Sequence, residues 1–151
     1  MAVDKIAVMS PGDMGHAIGR CLKGAGFDVL ACLDDRSERT RGLASEAGIR
    51  SVNTLEDLVQ EADLILSILV PSEASGAAVA VAKAMKATGA TPAFADCNAI
   101  APSTTTGISR AISNAGGTFI DGGIIGGPPG PDEVTRIYVS GPDEALMAVL
   151  D

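Results

Sequence analysis

The sequence is poor in aromatic residues and in positive charge. Aromatic residues make up 3% of its 151 residues and tryptophan is absent, while 11 lysines and arginines stand against 19 aspartates and glutamates. No segment forms a basic stripe, so we expect no binding to nucleic acid. Alanine, valine, isoleucine and glycine predominate instead, which is typical of a buried parallel sheet with closely packed helices.

Cysteine is also scarce, and its positions argue against two kinds of site. Cys21, Cys32 and Cys97 form no CxxC motif and no metal-ligand spacing, and their number is odd. We therefore expect neither a metal site nor a disulfide framework, but buried free thiols in a reducing compartment.

Long apolar runs and a signal segment are missing as well. No run is long enough to span a bilayer, and the N-terminus has no basic region followed by an apolar segment. We therefore expect a cytoplasmic protein without a membrane partner.

The N-terminal part of the sequence contains a strand, turn, helix and strand pattern. The apolar run 6–9 leads into a glycine-containing turn at 10–15, a helical pattern follows, and the apolar run 27–33 ends at the charged residues 34–36. Charged residues about 20 positions beyond such a turn are typical of a dinucleotide-binding βαβ unit. A simple glycine turn is the other interpretation, and the flanking strand, helix and acidic residues favour the cofactor.

The glycines of this turn predict how a diphosphate is held. A side chain at Gly12 would collide with the diphosphate, and Gly15 opens the helix, where its missing side chain and that of Gly19 allow close packing on the sheet. Free amide groups at the helix N-terminus suit an anion. Ser10 replaces the first glycine of a GxGxxG pattern, and a positive φ there would add on the order of 1 kcal/mol of strain.

Strand and helix patterns alternate along the rest of the chain. This alternation predicts a single α/β domain of the Rossmann type, with a doubly wound, mainly parallel sheet in a three-layer αβα arrangement. The expected strand order is 3-2-1-4-5-6, with the apolar run 64–70 in the centre and segment 135–141 added antiparallel at the edge. A ligand should bind at the switch between the first and fourth strands, where the turn 10–15 and the segments 69–71 and 96–98 meet.

Four segments resemble those of a known family. SPGDMGHAIGRCL, DDRS, DCNAIAP and FIDGGIIGGPPGP are similar, in this order, to the motifs of the β-hydroxyacid dehydrogenases, which include 3-hydroxyisobutyrate and 6-phosphogluconate dehydrogenases. The resemblance implies an NAD(P)-binding domain over residues 1–151. It also implies that the family's helical domain, which supplies the catalytic lysine and most of the dimer interface, lies outside this chain. No catalytic residue is therefore expected here, and a homodimer is the expected assembly.

The expected cofactor-binding residues come from the glycine turn, the end of the second strand and the ends of the fourth and fifth strands. They are Gly12, Asp13, Met14, Gly15, Asp34, Asp35, Arg36, Ser37, Leu69, Val70, Pro71 and Asn98. A carboxylate after the second strand favours NAD, whereas an arginine that reaches a 2′-phosphate favours NADP. The resemblance assigns Arg36 and Ser37 to the phosphate, so we expect NADP, with NAD as the alternative.

The substrate implied by the resemblance is a small hydroxy acid. Where the family has Ser-Gly-Gly to hold the substrate carboxylate, this chain has Ile125, Gly126 and Gly127, and Asn98 stands where the family has serine. Asn98, Gly126 and Gly127 are therefore the substrate-loop candidates, and glycine-rich segment 122–130 is expected to be a flexible loop.

Other polar residues are expected to have no catalytic role. His16 lies at a helix start beside a pyrophosphate, and Asp96 and Asp121 match family positions with structural roles. The lysines are expected before the first strand or on helices away from the crevice, and segment 146–150 is expected to be uncovered and to self-associate. An NAD(P)-binding sensor or regulatory module is the alternative function, and a flavin- or nucleotide-sugar-binding domain is a third.

Overall fold

Strands and helices alternate along the part of the chain that the structure describes. The computed structural model describes residues 2–141, 143 and 146–148. The elements are β1 (Lys5–Met9), α1 (Asp13–Gly24), β2 (Asp28–Cys32), α2 (Glu38–Ala47), β3 (Arg50–Val52), α3 (Leu55–Glu61), β4 (Leu64–Ser67), α4 (Pro71–Thr88), β5 (Ala93–Asp96), α5 (Pro102–Asn114), β6 (Thr118–Ile125) and β7 (Arg136–Ser140).

The strands form one sheet in the order β3-β2-β1-β4-β5-β6-β7. Strands β1 to β6 are parallel, and β7 pairs antiparallel with β6. The predicted order and the antiparallel edge strand are therefore confirmed. The central strand β4 is wholly buried, which explains why its sequence is almost entirely apolar.

Strand β4 ends at Ser67, three residues earlier than the apolar run 64–70 suggested. Pro71 is the cause, because it occupies the first turn of α4, where its missing N–H is not needed. The residue before a proline is held in an extended conformation, and Val70 has φ −68° and ψ 143°. Segment 68–70 therefore leaves the sheet to enter the helix.

Helices cover both faces of the sheet. Leu64 and Leu66 point to the side covered by α1 and α2, and Ile65 points to the side covered by α3, α4 and α5. On the first side a Cβ at Gly19 would come within 2.7 Å of Ile49 Cδ1, and one at Gly15 within 3.2 Å of Val8 Cγ1. The expected close packing is confirmed, although α1 begins at Asp13, so that Gly15 is its third residue and not its first.

The helix ends follow local sequence signals. Ser37 Oγ accepts a hydrogen bond from the Thr40 amide, and Thr54 Oγ1 accepts one from the Asp57 amide, so these two residues are the N-caps of α2 and α3. Gly48 ends α2 in the left-handed conformation, with φ 76°.

The glycine-rich segment 122–130 is only partly a loop, which corrects the expectation. Gly122 and Gly123 lie in β6 and pair with Val139 and Tyr138 of β7. A Cβ at Gly122 would come within 3.1 Å of Cys97 Sγ and 3.2 Å of the Asp96 carbonyl oxygen. Glycine is needed at this position for close approach of β6 to the end of β5, and flexibility is not its role.

Two expectations about exposure are wrong in part. Cys97 is buried and Cys32 is half-buried, but Cys21 is exposed on the solvent face of α1; all three thiols are free. In the segment 146–150, Met147 is buried and Leu146 packs against the core, so neither is uncovered. Residues 149 and 150, on which the expected self-association also rested, lie outside the described residues.

None of the helices described is long and apolar enough to cross a membrane.

Arg50 connects β3 to β2 and α3 through two ion pairs, and the stability that these pairs contribute should depend on pH. Its Nη2 donates hydrogen bonds to Asp28 Oδ2 at 2.9 Å and Glu61 Oε2 at 2.7 Å, which lower the pKa of both carboxyls. A carboxyl with a depressed folded pKa stabilises the fold above its unfolded pKa, and this contribution disappears as the pH falls through the folded pKa.

We therefore expect Arg50→Gln to lower the melting temperature by a few degrees at pH 7, since the pairs are partly exposed. The difference from the wild type should shrink below about pH 4 and vanish near pH 2. Melting curves between pH 2 and pH 7 measure it, and a difference that is the same at every pH would contradict the assignment.

Candidate functional site

A crevice of about 680 Å³ opens at the carboxyl ends of β1, β2 and β4. This is the switch point of the sheet, where the chain leaves β1 toward β2 on one side and β4 lies on the other. The crevice is lined by Met9, Ser10, Cys32, Asp34, Asp35, Arg36, Asn53, Thr54, Leu55, Glu56, Leu69, Glu73, Gly76, Ala77, Ala80, Lys83 and Ala84. Four of the expected cofactor residues are among them: Asp34, Asp35, Arg36 and Leu69.

The glycine turn borders this crevice at Ser10. Ser10 has φ 50°, the left-handed conformation that favours glycine, and its carbonyl oxygen accepts a hydrogen bond from the Gly12 amide at 2.7 Å. A Cβ at Gly12 would meet no atom nearer than the Ser10 carbonyl oxygen, at 4.0 Å. The backbone at Gly12 therefore faces open space, which is what close approach of a ligand needs.

The start of α1 offers unpaired amide groups to that space. Gly12 is the N-cap, and no side chain of the described residues caps the helix. The first amides of an uncapped helix attract anions through hydrogen bonds and through the helix dipole. Asp13, in the first turn, is paired with Arg39, which offsets its negative charge.

His16 is held by the turn itself. Its Nδ1 lies 2.7 Å from the Gly12 carbonyl oxygen, and the ring is half-buried. This contact fixes the ring against the backbone of the turn.

The end of β2 places charged side chains at the crevice. Asp35 adopts φ 60°, and the Arg36 amide donates to the Leu33 carbonyl oxygen at 3.1 Å, so the chain turns sharply here. Arg36 Nη1 lies 3.9 Å from Glu73 Oε2, on the first turn of α4. Ser37 caps α2 and does not line the crevice.

Asn98 is at the centre of a buried hydrogen-bond network. Its Oδ1 accepts from the Leu69 amide at 2.6 Å, and its Nδ2 donates to Ser67 Oγ at 3.1 Å and to Asp96 Oδ2 at 3.2 Å. The Asn98 amide also donates to Asp96 Oδ1. The side chain therefore holds the segment after β4 in place, and its polar atoms are already used inside the protein.

Burial shapes the chemistry of the residues beside Asn98. Burial raises the pKa of Asp96, and the hydrogen bonds from Asn98 lower it in part. Burial also raises the pKa of the Cys97 thiol to about 12, so this thiol stays protonated and is no nucleophile. Asp121, opposite Asp96 in the sheet, is exposed.

The hairpin loop after β6 closes on itself. The Gly127 amide donates to Glu133 Oε1 at 2.8 Å, and the Gly127 carbonyl oxygen accepts from the Thr135 hydroxyl. Strand β6 continues four residues beyond its last pairing with β5, at Asp121. Gly126 and Gly127 are therefore separated from Asn98 by a length of strand, and the structure does not bring these three substrate-loop candidates together.

Sequence reasoning missed the wall formed by α4. Its crevice residues Glu73, Gly76, Ala77, Ala80, Lys83 and Ala84 recur every three or four positions. Small residues at this spacing leave room for a ligand, and this periodic pattern was the available signal. Lys83 corrects the expectation that every lysine lies away from the crevice.

A glycine turn, an uncapped helix N-terminus and a charged second-strand end at one switch-point crevice define a Rossmann-type dinucleotide-binding domain. The model of the family described as the NAD binding domain of 6-phosphogluconate dehydrogenase matches residues 5–151. The chain belongs to this family.

The chain is also similar to one curated protein in sequence and to solved structures in fold. An uncharacterised 28.5 kDa protein of Methanothermus fervidus is 26% identical over 122 residues, which are 81% of this chain and 45% of that protein. The conserved protein MTH1747, described as structurally similar to 3-hydroxyacid dehydrogenases, is 26% identical with a TM-score of 0.82, over 96% of this chain and 53% of its own. The 3-hydroxyisobutyrate dehydrogenase of Mycobacterium tuberculosis is 23% identical with a TM-score of 0.82, over 99% of this chain and 51% of its own. The chain spans about half the length of these proteins.

No cluster of histidine, cysteine, aspartate or glutamate in the part of the chain described could hold a metal ion.

Proposed function

We propose that this chain forms the cofactor-binding part of a hydroxyacid dehydrogenase-type oxidoreductase that acts on a small hydroxy acid. The observation that carries the proposal is the crevice at the switch point, which the glycine turn borders at Ser10, together with the space beside Gly12 at the uncapped start of α1. The nicotinamide cofactor would accept or deliver a hydride, and the intact enzyme would hold the carbinol carbon against it.

Different residues in and beside the crevice would bind different parts of a dinucleotide. The amides from Asp13 to Gly15 suit the diphosphate, because they are donors at the positive end of a helix. The charged end of β2 suits the adenosine ribose, and Leu69 provides an apolar wall on the opposite side. Leu69 is itself held by Asn98, so we propose that Asn98 acts on the cofactor through this segment.

Proton transfer in this proposal falls to a group outside residues 1–151. General acid–base catalysis needs a group within hydrogen-bond reach of the substrate hydroxyl. Lys83 lines the same crevice as residues of α3 and of the second-strand end, and we propose this crevice for adenosine. We propose that the lysine belongs to a helical domain of the intact enzyme, which also provides the contacts of a homodimer.

A cofactor-binding sensor or regulatory module is the second candidate, and the closed hairpin loop favours it. Gly127 has both its amide and its carbonyl oxygen engaged within the hairpin. The backbone groups of Gly127 would have to leave these hydrogen bonds before they could bind a substrate. Binding of small hydroxy acids to the chain loaded with reduced cofactor would favour the enzyme, because a sensor needs no second ligand.

We further propose that the cofactor is NADP and that Arg36 binds its 2′-phosphate, in a cytoplasmic protein. The half-buried Arg36 side chain at the end of β2 supports this. Arg36→Ala should weaken NADP binding by about 1.5–3 kcal/mol, as for loss of a charge-assisted hydrogen bond, and leave NAD binding almost unchanged. Calorimetric titration of both dinucleotides measures this.

Arg110→Ala is the matched control for this variant, since Arg110 is exposed on α5 and does not line the crevice. It should bind both dinucleotides as the wild type does. Equal losses for NADP and NAD in Arg36→Ala, or a wild type that prefers NAD, would count against the proposal.

A further inference from the structure

The ion pair between Arg36 and Glu73 crosses the crevice. Arg36 follows β2, whereas Glu73 lies on the first turn of α4, and both line the same space. The distance from Arg36 Nη1 to Glu73 Oε2 is 3.9 Å, and the side chains are 33% and 54% exposed. An ion pair with this distance and exposure is weak, so Arg36 can exchange one anionic partner for another.

Glu73 is the acidic residue at the start of α4. It lies in the first turn of α4, where the positive end of the helix dipole favours a carboxylate. The other charged side chains of the crevice are Asp34, Asp35, Glu56 and Lys83, so four carboxylates face two cations. A dianionic phosphate entering this crevice meets net negative charge, and Glu73 is the carboxylate paired with Arg36.

We infer that Glu73 sets the balance between NADP and NAD, because its carboxylate competes with the 2′-phosphate for the Arg36 guanidinium. This inference rests on the proposed cofactor site. NAD has a free ribose hydroxyl instead of the phosphate and does not require Arg36 to leave Glu73. The wild type should therefore discriminate between the two dinucleotides less sharply than an arginine alone would.

Glu73→Gln tests the inference, because it removes the charge and keeps the size of the side chain. NADP binding should tighten by about threefold to tenfold at low salt, and NAD binding should change by less than about twofold. The gain should shrink as salt is added, since the competing interactions are partly exposed. Dissociation constants from calorimetry, with melting curves to verify the fold, give the result.

Glu56→Gln is the matched control. Glu56 lines the same crevice and loses the same charge, but in the described part of the chain it forms no ion pair with Arg36. Its effect on the ratio of NADP to NAD affinity should be less than half that of Glu73→Gln. The double variant Arg36→Ala/Glu73→Gln should show no gain over Arg36→Ala beyond that of the control.

The outcomes separate the inference from the proposed function. Equal shifts in Glu73→Gln and Glu56→Gln, or a gain that persists without Arg36, would overturn the role of Glu73 while leaving the cofactor site in place. Failure of the wild type and of every variant to bind either dinucleotide would overturn the proposed function and the inference with it.

Discussion

Gly12→Ala should raise the dissociation constant for dinucleotide by at least about 100-fold, as for loss of two charge-assisted hydrogen bonds, while leaving the fold intact. A Cβ at Gly12 has room in the protein alone, since its nearest neighbour would be 4.0 Å away. The backbone there, with φ −82° and ψ −153°, is extended and open to alanine. In the proposed complex, the same Cβ would occupy the space that the diphosphate needs in order to reach the amides of α1.

Gly107→Ala is the control for this prediction. Gly107 lies in α5, and a Cβ there would meet nothing within 4 Å. This variant should bind dinucleotide normally and be slightly stabilised, because alanine is the better helix former. Calorimetry and melting curves are needed for both variants. Normal binding by folded Gly12→Ala would show that the diphosphate does not bind at this turn.

Asn98→Ala should lower the free energy of unfolding by about 2–4 kcal/mol, because it leaves several buried polar groups without their partners. The Leu69 amide loses its acceptor, and Ser67 and Asp96 lose a donor. Ser67 and Asp96 are fully buried, so water cannot readily replace the amide. Denaturant unfolding measures the change.

Asn114→Ala provides the comparison for Asn98→Ala. Asn114 is exposed at the end of α5, and its replacement should change the stability by less than about 0.5 kcal/mol. Dinucleotide affinity in a folded Asn98→Ala sample should also fall, since segment 68–70 loses its anchor. A variant as stable as the wild type would show that the network contributes little.

The order of the sheet could be predicted from sequence because few topologies are compatible with alternating strands and helices. Right-handed crossovers and one strongly apolar run leave little choice for the position of β4. Ser37 and Thr54 could be predicted as caps because their partners lie three residues away. These signals are local or periodic, so they can be recognised without knowledge of the tertiary structure.

The wrong predictions concern segments whose conformation depends on tertiary contacts. Segment 68–70 is as apolar as a strand, but Pro71 and the hydrogen bond to Asn98 take it out of the sheet. Gly122 resembles a loop residue in sequence, but the structure requires glycine there because a Cβ would come too close to Cys97. Neither contact could be read from spacing, since the partners are 29 and 25 residues apart.

The site was predictable in its backbone and less so in its side chains. The turn at Gly12 and the charged end of β2 are marked by a motif with fixed spacing. Glu73 approaches Arg36 from a helix that begins 35 residues later, and only the folded sheet brings them together. The binding roles of the individual residues stay predictions until the titrations are made.

The left-handed conformation of Ser10 explains how the chain departs from the glycine pattern at little cost. A non-glycine residue with positive φ adds on the order of 1 kcal/mol to the native state. Glycine at the same place would avoid that strain, but its greater freedom in the unfolded chain costs roughly 0.5–1 kcal/mol of backbone entropy on folding. The two terms nearly cancel at φ 50°. The first position of the turn is therefore close to neutral between serine and glycine. Packing against Val8 constrains Gly15, and in the proposed complex the ligand would constrain Gly12.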